Sequence, residues 1–282
     1  MPRHAHRWTR PGRAGWMLIL VAAIAAGAAA WWWRARLAGP ELLQLGERPF
    51  VLVYHTHGTE SFLPDLYGSR RAGRDPDRDA FTRDQRKSVR AAGQAIARRL
   101  YERGLDAVWL GTLYDEQGRD GAYARAREGM RRLLTRYPDI RVALDIHRDA
   151  TSTRVPVGGT QAAGVLFVVG AGHPRWHQNL ALAEAMAERL ARVHPRLVRG
   201  IALKPWHYNQ DLLPGALIVE IGGAENSLAE TLTSARLVAD ALVDALAPRP
   251  GGPPAGSPKG PANPRGPASP PRSGNPPAPA TP

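Results

Sequence analysis

The sequence predicts an α/β domain: a mostly parallel sheet flanked by helices on both faces. Three observations carry this. Short apolar runs rich in Val, Ile and Leu recur along the chain, as expected of strands buried on both sides. Between them lie segments with apolar residues three and four apart, the spacing of an amphipathic helix. The two kinds alternate instead of segregating, the pattern of strand–helix–strand units.

The elements follow in order. Phe50 to Tyr54 (FVLVY) reads as a buried strand. Val89, Ala92, Ile96 and Leu100 mark a helix whose Arg98, Arg99 and Arg103 turn outward. Ala107 to Leu110 is a strand, Ala122 to Tyr137 a helix, and Val142 to Ile146 a strand. Gly164 to Val169 (GVLFVV) is another long β-run. Leu180, Ala183, Met186, Ala187 and Leu190 form a helical stripe. Ala216 to Ile221 (ALIVEI) is the last clear strand. Ser227-Leu-Ala-Glu230 is a capping box opening a helix that runs to about Leu246.

The formal charge of +13 belongs mainly to the two ends. The first 40 residues hold six Arg and no acid, and the segment from Pro248 holds three Arg and one Lys. That leaves 28 basic against 25 acidic residues between them, with no sign of the basic stripe a nucleic-acid-binding domain needs. Residues 15–33 carry no charge and would span ~28 Å as a helix, close to the ~30 Å hydrocarbon core. Arg3, Arg7, Arg10 and Arg13 precede this segment, and Trp31, Trp32 and Trp33 close it. The expected organisation is a cytoplasmic basic segment (1–14), a single transmembrane helix (15–33), a linker (34–49), a catalytic domain outside the membrane (50–247) and a disordered Pro-rich tail (248–282). A cleaved signal peptide is the alternative reading of the apolar segment, and it too exports the domain. The tail holds 14 of the 26 prolines.

Cysteine is absent, so a thiolate ligand and a cysteine nucleophile are excluded. No G-x-S-x-G, GxGxxG or P-loop occurs. Metal-capable residues do gather where strands stop. The first strand runs into Tyr54-His55-Thr56-His57-Gly58-Thr59-Glu60, and alternation would put His55 and His57 on one face. The strand VALDI runs into Asp145-Ile146-His147-Arg148-Asp149, where Asp145, His147 and Asp149 would share a face and Arg148 point away. Glu220 sits in an apolar run followed by two glycines. Zinc catalysis needs about three His, Asp or Glu ligands, an open position for water and a nearby base. His57, His147 and one carboxylate can supply the ligands, and Glu220 the base. A structural ion pair of Glu220 with Arg148 is the competing reading. Trp206-His207-Tyr208-Asn209-Gln210-Asp211 is an aromatic, polar loop suited to touching substrate.

YHTHGTES (Tyr54 to Ser61), DIHRDA (Asp145 to Ala150), Val168 to Ala183, YNQDL.PGALIVEIGG (Tyr208 to Gly223) and Asn226 to Glu230 together resemble the stage II sporulation protein P family. The resemblance implies an amidase-3-like fold and a zinc N-acetylmuramoyl-L-alanine amidase that can also cut peptide cross-links. It implies peptidoglycan as substrate and action in sporulation and engulfment. A lytic transglycosylase and a membrane protein are the implied partners, and the cell membrane, reached through a single span, is the implied location. It assigns one Zn2+ to His57 and His147, and Glu220 to catalysis. The related amidases take a glutamate ligand from the start of the following helix, where this chain reads Arg83-Asp-Gln-Arg-Lys87 with no Glu, so Glu60 is taken as third ligand with Asp84 in reserve. Arg148 joins Glu220 in the catalytic set. His55, Asp145, Asp149, Asn209, Gln210 and Asp211 are expected to support the ligands or contact substrate. The alternative class is a non-catalytic wall-binding or scaffolding protein on the same fold. Within the enzyme reading, a zinc carboxypeptidase or endopeptidase would share the metal.

Overall fold

A computed structural model describes residues 42–247. The apolar segment 15–33 and the tail 248–282 lie outside these. Among the described residues no helix is long and apolar enough to cross a membrane.

Among the described residues, nine strands and six α-helices form the domain. The strands are β1 (Leu42–Leu45), β2 (Val51–Tyr54), β3 (Ala107–Leu110), β4 (Val142–Asp149), β5 (Arg154–Val157), β6 (Thr160–Ala163), β7 (Val165–Gly170), β8 (Val198–Lys204) and β9 (Ala216–Gly223). The helices are α1 (Leu63–Tyr67), α2 (Pro76–Asp79), α3 (Val89–Glu102), α4 (Ala122–Arg136), α5 (Trp176–Val193) and α6 (Leu228–Leu246). Seven strands make one sheet in the order β1-β3-β2-β4-β9-β7-β8, and β5 and β6 make a hairpin. β2 runs parallel to β3 and β4, β4 to β9, and β7 to β8. β1 on β3 and β7 on β9 are antiparallel. The sheet is therefore mixed but mostly parallel.

Side chains alternate between the faces and build two cores. Val51, Val53, Trp109, Leu144 and Ile146 pack with α3, α5 and α6. Leu52, Tyr54, Val108 and Ala143 pack with α4 through Ala126, Met130 and Leu133. At ~25 cal/mol per Å2 of apolar area removed from water, these two layers are the main stabilising term.

Four features depart from expectation. Leu42–Leu45, inside the span read as linker, forms edge strand β1, with Leu43 and Leu45 packed on one core and Leu42 on the other. β4 continues past Ile146 to Asp149. The β5–β6 hairpin and β8 are additional. β2 leads through α3 to β3, and β4 leads the opposite way towards β7. Adjacent strands whose connections leave in opposite directions open a crevice at their carboxyl ends, and the expected site residues lie at these ends.

Candidate metal centre

Strand β2 stops at Tyr54, and the chain turns sharply from Thr56 to Glu60. Two carboxylates pin this turn. Asp145 accepts from the Thr56 backbone N–H (2.7 Å) and hydroxyl (2.6 Å). Asp115, in the loop after β3, accepts from the Thr59 N–H and hydroxyl. Because the strand has ended, the expected alternation fails, and His55 and His57 go to different surroundings. His55 is fully buried on the α3 side. Its Nδ1 lies 3.0 Å from the Ile146 carbonyl, and its Nε2 accepts from Trp109 Nε1–H at 3.1 Å. Burial lowers its pKa to about 4. Both nitrogens are committed to these partners, so His55 packs in the core and does not share a face with His57.

His57 turns to the other side. Its ring meets that of His147 edge-on at 5.3 Å and that of Tyr123, on α4, at 5.5 Å. Burial first, and then the neighbouring His147, lower its pKa to about 4. It is thus neutral at physiological pH, the form that binds metal.

His147 sits between two buried carboxylates. Its Nδ1 is 3.3 Å from Glu60 Oε2 and its Nε2 3.0 Å from Asp145 Oδ1, the latter outside hydrogen-bond geometry. Burial alone would lower its pKa, but the charges of Asp145 and Glu60 raise it well above the usual histidine value. Burial opposes ionisation of Glu60, yet His147, Arg119 and Arg148 together bring its pKa down to about 2. Glu60 also accepts from the Arg148 backbone N–H (3.1 Å) and from Arg119 (3.0 Å). Asp145 is likewise held ionised: His147 and Thr56 overcome the cost of its burial.

Glu220 lies directly across from His147 in the parallel register of β4 and β9. Burial, reinforced by Glu60, Asp149 and Asp145 and opposed by His147, raises its pKa to about 8. The rings of Tyr123 and Tyr208 adjoin the cluster, 5.4 Å apart. Tyr123 gave no sequence signal, being a single aromatic at the start of an ordinary amphipathic helix.

The remaining expected residues sort clearly. Arg148 projects away from His147, donating to the Pro76 (3.1 Å) and Ala80 (3.4 Å) carbonyls with its guanidinium over the Phe81 ring. Asp149 lies beyond a register shift in β4 and pairs with Arg199 of β8. Asp84 caps the short 3-10 turn Gln85–Lys87 and pairs with Arg86. Gln210 bridges the end of β7, accepting from Gly170 N–H and donating to the Val168 carbonyl, both at 2.9 Å. Asn209 donates to the Tyr123 carbonyl, and Asp211 pairs with Arg127 at 2.6 Å. These three fasten the loop to β7 and α4.

The donors suit a zinc-class divalent ion in kind. Among the buried side-chain atoms without a hydrogen-bond partner are three of this cluster: His57 Nδ1, His147 Nε2 and Glu220 Oε2. An orphaned buried polar atom is costly, and two ring nitrogens and a carboxylate oxygen are the atom types that bind a metal ion. As they stand, however, no three His, Asp or Glu side chains among the described residues converge closely enough to hold an ion.

A family model described as stage II sporulation protein P matches residues 39–243. The stage II sporulation protein P of Bacillus subtilis (strain 168) is 30% identical over 209 residues, covering 69% of this chain and 50% of that protein. The chain thus spans about half the length of this curated relative. Among solved structures, the catalytic domain of CwlV, an N-acetylmuramoyl-L-alanine amidase from Bacillus (Paenibacillus) polymyxa var. colistinus, aligns with a TM-score of 0.43 and 14% identity. It covers 70% of this chain and 96% of that one. The CwlD amidase of Clostridioides difficile, solved with the GerS lipoprotein, aligns with a TM-score of 0.42 and 15% identity, over 70% and 95%. A metallo-carboxypeptidase from Burkholderia cenocepacia aligns at 0.41 and 12%, over 73% and 60%.

Proposed function

Since the chain belongs to the stage II sporulation protein P family, we propose that it is a zinc-dependent peptidoglycan hydrolase of sporulation. The bond cleaved is the amide between the lactyl group of muramic acid and L-alanine, with peptide cross-links as a second target. One observation supports this most: His57, His147, Glu60 and Glu220 meet at the carboxyl ends of β2, β4 and β9 with three buried polar atoms unpartnered.

When bound, zinc supplies Lewis acidity towards the scissile carbonyl and lowers the pKa of the attacking water to ~7. His57 and His147 would hold it, with Glu60 as third ligand. Asp145 and Glu60 flank the His147 ring and hold it at the crevice. Asp145 remains a brace, joining the β2 turn to β4 through Thr56. Arg148 keeps Glu60 ionised and in place through its backbone N–H and its charge; in this reading it positions a ligand and does not touch substrate. Glu220 takes a proton from the attacking water and delivers it to the leaving nitrogen. Burial raises its proton affinity above that of an exposed carboxylate, the direction such a shuttle needs. The domain works outside the cytoplasmic membrane, tethered by residues 15–33, with a lytic transglycosylase and a membrane protein as partners.

Metal content tests the site. Purified wild-type chain should hold one zinc per molecule, and His57→Ala and His147→Ala should hold little, because the remaining groups cannot complete the coordination shell. Wild-type zinc occupancy in both variants would contradict the assignment. Zinc-free wild-type protein that still binds peptidoglycan would favour the wall-binding scaffold.

A further inference from the structure

The loop between β8 and β9 carries an aromatic feature that neither metal binding nor proton transfer uses. From His57 a chain of rings leads outward. Tyr123 lies 5.5 Å from His57, Tyr208 lies 5.4 Å from Tyr123, and Trp206 lies 5.9 Å from Tyr208. At the outer end Trp206 is 59% exposed, which leaves its indole open to a ligand. At the inner end Tyr208 is close enough to Glu220 for the carboxylate to raise its pKa, although burial contributes more.

The loop is built to stay where it is. Tyr208 and Asn209 both adopt left-handed backbone angles (φ 49° and 59°), which non-glycine residues avoid. Gly170 and Gly172 let the Trp206 backbone approach so closely that a Cβ at either position would fall within 2.9 Å of it. Gln210, Asn209 and Asp211 tie the loop to β7 and α4. Asn179 on α5 holds its far end, donating to the Gln210 carbonyl and accepting from Gly215 N–H. The ring of Trp206 is therefore presented at a set height beside the crevice.

We infer that Trp206 forms a stacking platform for a pyranose ring of the glycan strand, next to the bond that is cut, with the Tyr208 ring set edge-on to it at 66° as a side wall. This rests on the peptidoglycan reading. A flat aromatic ring offers an apolar face that matches the axial C–H face of a pyranose, and its rigidity makes such a contact inexpensive in entropy. In the proposed reaction the sugar is joined to the scissile amide through its lactyl group. A platform leading away from Glu220 would then set which sugar sits at the cleavage position. The polar residues expected to contact substrate, Asn209, Gln210 and Asp211, serve this arrangement from behind.

The test uses the full-length chain in detergent, with calorimetric titration of a soluble β-1,4-linked N-acetylglucosamine oligomer. Trp206→Leu keeps apolar bulk and removes the ring; Trp206→Phe keeps a ring. Because the residue is exposed, both should melt at the wild-type temperature. Loss of the stacked ring should weaken binding by about three- to tenfold, with Phe close to wild type. Equal affinity for wild type and Trp206→Leu, or no binding by wild type, overturns the platform. Parallel assay of peptide release separates the two claims. Ring-dependent binding without cleavage keeps the platform and rejects the hydrolase. Cleavage with ring-independent binding does the reverse.

Discussion

At the residue scale, neighbouring histidines have opposite fates for a local reason. His55 fills the space left by Gly93 on α3: a Cβ there would lie 2.3 Å from His55 Cε1 and 2.4 Å from Nε2. Helix propensity alone would make Gly93→Ala stabilising by about 1 kcal/mol. The imidazole cannot move aside without losing its contacts to Ile146 and Trp109, so overpacking should prevail, for a net loss of about 2 kcal/mol. Urea unfolding of the variant measures this, and a gain in stability would show that the pocket is slack. His57, Glu60, His147 and Glu220 could be singled out in the sequence because polar groups at the ends of buried strands have few other reasons to be there, and the structure gathers them around one crevice. His55 was misread because period-two alternation was carried past Tyr54, where the strand stops. The orientation of Arg148 and the ion pair of Asp149 depend on Phe81 and Arg199, which nothing local announces.

At the element scale, the start of α6 is set by the capping box read from sequence. Glu230 N–H donates to Ser227 Oγ at 3.2 Å, and Ser227 N–H donates to Glu230 Oε2 at 3.0 Å. Ser227→Ala should cost about 1 kcal/mol. Burial opposes the charge on Glu230, but hydrogen bonds from Asn226, Ser227 and Arg154 outweigh it and depress the pKa. A depressed acid stabilises the fold above its unfolded-state pKa of about 4.3, and the contribution fades as pH falls through the lower folded value. The gap in urea midpoint between wild type and Glu230→Gln should therefore narrow below about pH 4. A gap that is constant with pH would remove Glu230 from the linkage. Elements with a strong pattern were legible; the others were weak for stated reasons. β1 is only four residues. β8 (VRGIALK) is an edge strand broken by Gly200 at φ 132°. The β5–β6 hairpin did carry a signal, the Gly158-Gly159 turn at φ 53° and 81°, which matches a tight two-residue loop.

At the scale of the whole molecule, charge and apolar pattern divide the chain more sharply than the fold does. The described domain is nearly balanced in charge, and most of the positive excess lies in the flanks. Arginines before residues 15–33 and tryptophans at the end of that segment predict that the domain lies outside the membrane. Protease added to intact protoplasts should remove it, and full protection behind an unbroken membrane would place it inside. The central claim, that the cluster around His57, His147 and Glu220 cuts the lactyl–alanine amide, has a more direct test. Purified sacculi are digested with wild-type chain, with chelator-treated chain and with Glu220→Gln, and the released peptides are analysed. Wild type should release stem peptides beginning with a free L-alanine amino group. Chelation should abolish release, and restored zinc should recover it. Glu220→Gln should fall by 10²- to 10⁴-fold at unchanged zinc content and melting temperature. A zinc-loaded, stably folded Glu220→Gln chain that releases the same peptides at a near-normal rate would contradict the account.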